Sequence, residues 1–226
     1  MRTPPLFIRL CCTTLLCAAS ATAQSREEAV LNNTYREPVG SVLAPVVLPS
    51  GTSAAYGRLG VPDFAVGYRQ GVAGFELEGR AILNYFWASL AAEALARIPV
   101  GSAGGWEFGV PVGLGLVVNT GANYLDEDNF DYRAIRVIGG VLATYRLSDT
   151  VRPLLELEFT DDFAVSPKGA YNATLVGGGG VEMYLGNNWS GLFSTRLGWN
   201  GLKDQLGTAQ SQFAFQVRLG FGVRLF

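Results

Sequence analysis

Two pairs of glutamates stand two residues apart, Glu76/Glu78 and Glu156/Glu158. Neighbouring carboxylates are the residue types of general acid–base catalysis, in which one group stays protonated and the other ionised. In a strand, however, residues i and i+2 always share a face, so this spacing is that of any row on one face and assigns no catalytic residue. The same face carries arginines at Arg58, Arg69, Arg80, Arg97, Arg136, Arg152, Arg196 and Arg218, with further acids at Glu93, Glu107 and Glu182. Charges of both signs enclosed in a narrow space must pair, because a buried unpaired charge is far costlier than a paired one. The set Glu76, Glu78, Arg80, Glu107, Arg136, Arg152, Glu156, Glu158, Glu182, Arg196 and Arg218 is therefore expected to form an interior charge network. Such a network either fixes the interior as a hydrogen-bonded plug or lines a selective pore or proton path, and the plug is the preferred reading.

Metal chemistry has little to work with. The chain has no histidine, and its three cysteines, Cys11, Cys12 and Cys17, all lie in the first segment. Without them a zinc site lacks its usual ligands, and no cofactor is expected. The most acidic stretch is Asp126-Glu127-Asp128-Asn129-Phe130-Asp131. Asp126, Asp128 and Asp131 are candidate oxygen ligands for calcium. The stretch lacks the glycine and distal glutamate of an EF-hand loop, and Phe130 occupies a ligand position, so a solvated loop tip is the simpler reading. Tyr124, Phe130 and Tyr132 interleave with these acids and would serve as adhesive anchors.

An inward charged row needs strands to carry it. In residues 211–225, Phe213, Phe215, Val217, Leu219, Phe221, Val223 and Leu225 form one apolar row, opposite Gln212, Ala214, Gln216, Arg218, Gly220, Gly222 and Arg224. A period of two is the strand signature. The row is longer than an ordinary strand of about 5–6 residues and suits a membrane-crossing strand of roughly 9–11. The alternation recurs over residues 55–61, 64–68, 75–85, 106–118, 135–145, 151–159, 171–185 and 189–199. Residues 88–99 read two ways. Ala91, Ala92, Ala94, Leu95 and Ala96 favour helix locally. Leu90, Ala92, Ala94, Ala96 and Ile98 opposite Ser89, Glu93 and Arg97 make a strand, which agrees with the flanking strands. The expectation is ten strands, or eight or twelve if the ends are misread. Short breaks follow Tyr145 and Leu185, and longer ones fall at residues 119–133, 161–169 and 200–210.

Residues 1–23 have the form of a cleaved signal peptide: Arg2 and Arg9, a short apolar run, and a small-residue end at Ala21-Thr22-Ala23. Residues 24–53 are polar at first and broken by Pro38, Pro45 and Pro49, and read as a periplasmic tail or an inward-lying segment. Charged residues make up 16% of the chain against about 25% in soluble domains. No basic cluster points to nucleic acid.

The apolar rows carry essentially no charge, and aromatic residues gather near their ends: Trp106, Phe108, Tyr145, Tyr171, Tyr184, Trp189, Trp199, Phe213 and Phe215. Both features suit rows that face lipid between interfacial girdles. With its signal segment, its dyad strands and its final Phe226, the chain resembles the small outer-membrane β-barrel class of Gram-negative bacteria over residues 54–226. The resemblance implies an all-β, antiparallel, up-and-down transmembrane barrel in contact with outer-membrane lipid and lipopolysaccharide. It also implies that Phe221, Val223, Leu225 and Phe226 form the signal read by the barrel-assembly machinery, although Phe226 falls on the opposite parity from Leu225. Barrel enzymes of this class, such as the phospholipase, the omptin-like protease and the lipid A deacylase, use a histidine base, which this chain lacks. The functional expectation is a non-enzymatic structural, adhesion or anchoring barrel working through its extracellular loops, alone or in a larger motility or export complex. A narrow channel for small solutes is the first alternative, and a secreted soluble barrel binding an apolar ligand is the second.

Overall fold

The alternating rows become ten antiparallel strands: β1 Ser53–Val61, β2 Asp63–Val72, β3 Phe75–Asn84, β4 Ser89–Ala103, β5 Trp106–Thr120, β6 Asp131–Tyr145, β7 Val151–Ser166, β8 Tyr171–Gly186, β9 Trp189–Lys203 and β10 Ala209–Arg224. The computed structural model describes residues 42–122 and 129–225, which lie in the unit Pro38–Phe226; the unit Met1–Glu37 lies outside the described residues. Each strand pairs with its neighbours in sequence, and β1 pairs with β10, from Ala54↔Arg224 to Val61↔Val217, which closes the barrel. Closure satisfies the ladder without leaving an open sheet, the condition for spanning a membrane with strands. Residues 88–99 are strand, because β4 pairs with β3 on one side and β5 on the other; two ladders override the local helix preference of its alanines.

The connections are short at one end of the barrel: residues 73–74, 104–105, 146–150 and 187–188. Asn187 and Asn188 both have positive φ, 52° and 65°, the backbone of a two-residue hairpin turn that matches strand twist. At the other end the connections are residue 62 and residues 85–88, 121–130, 167–170 and 204–208. The breaks expected at 161–169 and 200–210 are thus mostly strand. Asp161 and Asp162 hid the continuing period of two, in which Phe163 and Val165 face out and Asp162 faces in. Residues 131–133 likewise open β6, and Tyr132 is 3% exposed. It faces the lumen and is no surface anchor.

The apolar rows face outward. Leu114, Leu116, Leu155, Leu197 and Phe221 are all more than half exposed, while Arg69, Glu76, Glu182 and Arg196 are buried. This inverts the arrangement of a soluble barrel, which would bury the apolar rows, and it is the pattern of a membrane-spanning barrel. Trp189 and Trp199 mark the two margins on β9. Ten residues at about 3.3 Å, tilted about 40°, rise about 25 Å, the height of an outer-membrane apolar band. Leu114 sits midway along β5 on this belt. Leu114→Arg is expected to lower the stability of the inserted barrel by about 2–4 kcal/mol, read as a shift of the denaturant midpoint in lipid vesicles.

Candidate functional site

The lumen is the site, because there the inward rows of ten strands meet. At the short-turn end it is filled by the segment just before β1. Val42, Leu43, Ala44, Val46 and Leu48 are each at most 3% exposed. Proline at 45 and 49 keeps this segment out of any ladder, so its backbone polar groups need other partners. The inward carboxylates and one arginine supply them. Glu182 on β8 accepts from the amides of Val42, Leu43 and Ala44 at 2.8, 2.8 and 2.9 Å. Glu76 on β3 accepts from the Leu48 amide at 2.7 Å. Arg69 on β2 donates to the carbonyls of Val42, Leu43 and Pro45 and forms a two-pronged pair with Glu76 at 2.6 and 2.8 Å. Hydrogen bonds to charged groups are the strong ones, and planar arginine–carboxylate forks also fix orientation.

Glycines on the wall make room for the segment. A Cβ on Gly222 would lie 2.7 Å from Val42 Cγ1, and one on Gly109 would lie 2.2 Å from Val46 Cγ1. Gly109→Val is expected to expel the segment locally while leaving the β-ladder intact, checked by faster proteolysis near residues 42–48 in a barrel that still shows a heat-dependent gel shift.

Above the segment, paired charges cross the lumen. Arg97 joins Glu78 at 2.6 Å and Glu76 at 3.5 Å, and Glu78 also accepts from the Tyr56 hydroxyl. Farther along, Arg80 bonds Glu93 and reaches Glu158 at 3.2 Å. Arg136 links Glu93 at 2.9 Å to Asp162 at 2.6 Å, and Asp162 holds the Tyr132 hydroxyl at 3.0 Å. Arg196 lies 3.6 Å from Glu156 and 3.5 Å from Glu158. Arg218 pairs with Asp63 at 2.7 Å. Arg152 lies 3.6 Å from Glu107, whose side chain is 43% exposed, so Glu107 belongs to the short-turn rim and not to the enclosed network.

Cavities remain among the described residues. One of about 30 Å³ is lined by Leu43, Arg58, Glu156 and Glu158, among others, between the segment and the middle of the barrel. One of about 470 Å³ occupies the half nearer the longer connections and shares Glu158 with the first.

The structure brings Glu76, Glu78, Arg80, Arg136, Glu156, Glu158, Glu182, Arg196 and Arg218 to the lumen. Phe221 and Leu225 are exposed on the outside, on the same row as Val223, and Phe226 lies outside the described residues. Of the calcium candidates, Asp126 and Asp128 lie outside the described residues, and Asp131 is exposed at the start of β6. Among the described residues no cluster of acids is placed to hold a metal. The sequence pointed to Tyr132 only as a surface anchor, and to none of Tyr56, Asp63, Asp162 and Asn172 as a lumen partner. Tyr56 stood on the inward row of its strand; the others stood in segments read as turn or loop, or among uncharged residues.

No family model matches the chain, and no curated protein matches it. Solved structures similar to it include a de novo designed transmembrane β-barrel, at 13% identity and TM-score 0.34 over 79% of this chain and 99% of that one. The KdgM porin is similar at 11% identity and TM-score 0.34, over 77% of this chain and 99% of that one. A complex of the KdgM porin with disordered oligogalacturonate gives 9% identity and TM-score 0.35 over the same shares.

Proposed function

We propose that this chain is a non-enzymatic outer-membrane barrel, exported by residues 1–23, that is shut to solute flow and acts as a structural or anchoring element through its loop end. Short turns face the periplasm in such barrels; on this reading the plugging segment lies on the periplasmic side and the longer connections lie outside. The observation that carries this reading is the filled short-turn half of the lumen, where residues 42–48 and the charges of Glu182, Glu76 and Arg69 are committed to one another. Refolded mature chain in a planar bilayer is expected to insert without steady channel openings. Salt-dependent openings of the intact chain would overturn the reading.

A gated narrow channel is the second reading. It is favoured by the two cavities that share Glu158 in their lining, the smaller of which is bounded by Leu43 of the segment. For the anchoring role, residues 122–129 are the stretch to remove, since Tyr132 is built into the lumen network. A folded deletion variant is expected to lose lipopolysaccharide or partner retention on the cell surface; unchanged retention would remove these residues from the role.

A further inference from the structure

The wall is not equally high all round. β1 ends at Val61, paired with Val217, and one residue, Pro62, joins it to β2. On the β1 side, residues 209–216 of β10 therefore have no strand partner among the described residues, although β9 pairs with them on the other side. Phe213 lies directly across from Trp199, at the margin of the apolar belt, so residues 213–216 fall at the level of the outer lipid leaflet. An unpaired strand edge is costly against hydrocarbon and calls for something to cover it.

The 470 Å³ cavity borders this edge. It is lined by the inward residues Ala214 and Gln216 and also by the outward residues Phe213 and Phe215, together with Val61 and Pro62. Residues of both alternations of β10 line this one cavity, as expected where it borders the strand's free edge. The Arg218–Asp63 pair forms the sill below. Inside, Ile82, Phe86 and Trp87 give an apolar wall. Asn172, 2% exposed, and Asn200, 4% exposed, each keep a side-chain oxygen without a partner, as does Gln216. Buried amide oxygens of this kind need donors. The cavity is within the range of small-molecule sites, about 300–1,000 Å³.

We propose that this cavity binds a single-chain amphiphile that comes sideways from the outer leaflet through the step between β10 and β1. Its hydroxyl- or amide-bearing head meets Asn172, Asn200 and Gln216 and pairs with backbone groups of the free edge, and its tail lies outside along Phe213 and Phe215. The site is independent of residues 42–48, and stands whether the barrel conducts or not.

Trp87 supplies the test. In full mature chain with Trp106, Trp189 and Trp199 changed to Phe, Trp87 is the sole tryptophan. The protein is placed in nanodiscs containing a dibrominated monoacylglycerol, whose bromines quench indole fluorescence on contact. Saturable quenching, reversed by the unbrominated lipid, is expected. Ala214→Leu narrows the mouth and is expected to abolish saturation. Asn200→Leu with Gln216→Leu, which keeps the mouth open, is expected to weaken half-saturation about tenfold. A brominated diacyl phospholipid, too broad for the step, is expected to give only non-saturable quenching. Unsaturable quenching by the monoacyl probe would overturn the proposal, as would wild-type behaviour of both variants. Saturation by a water-soluble brominated short-chain diol, with none by the membrane-held probe, would overturn lateral access.

Discussion

A barrel carrying Glu182→Ala is expected to leak ions where the wild type is silent. Glu182 accepts three consecutive backbone amides, at Val42, Leu43 and Ala44, and also holds Ser190. Hydrogen bonds to a charged group contribute about 1.5–3 kcal/mol each, so losing the three amide bonds removes about 5 kcal/mol from the docking of a segment that has no ladder of its own. It also leaves buried amides unpaired, which favours the undocked state further. The remaining ties are Glu76 to the Leu48 amide, the arginine bonds to carbonyls, and apolar packing on Gly220 and Gly222. The β-ladder is untouched, so the gel-shift signature of folding is expected to persist. Conductance is the first reading, and protease cleavage near residues 42–48 the second. A folded, silent Glu182→Ala barrel with a protected segment would show that the other ties suffice.

The second large effect is on stability. Arg69 is fully buried, as is its partner Glu76. Arg69→Met removes the fork and the carbonyl bonds together, leaving Glu76 with Arg97 at 3.5 Å and the Leu48 amide. Breaking one side of a buried ion pair costs about 3–5 kcal/mol, because the other charge stays in a low-dielectric site. The double change Arg69→Met with Glu76→Gln is expected to recover a large part of that loss, since the uncompensated charge goes while an acceptor for Leu48 remains. Denaturant midpoints of vesicle-inserted barrels, arranged as a double-mutant cycle, check this. Equal losses in the single and double variants would mean that the carbonyl bonds, and not the ion pair, hold this end together.

The sequence made the strands and their faces legible because both rest on one local rule, the alternation of side chains. Phe213 to Leu225 alternates without a break, and the closed barrel follows from ten such rows with an apolar outside. What was not legible depends on contacts distant in sequence. Val42 meets Glu182 across 140 residues; the prolines of residues 24–53 left a periplasmic tail and an inward-lying segment both open, and only contacts of that range tell them apart for residues 42–48. Asp162 was read as loop because two aspartates interrupt an apolar row, yet Arg136 draws it inward. The step between β10 and β1 needs the register Val61↔Val217, which no single strand contains.

The closing of the lumen by the chain's own segment is tested most directly by hydrogen exchange of the amides of Val42, Leu43, Ala44 and Leu48 in the folded mature barrel. Bonded to Glu182 and Glu76, they are expected to exchange as slowly as amides of β8, and to speed up in Glu182→Ala. Exchange at the rate of an unstructured chain in the wild type would contradict a lumen closed by this segment.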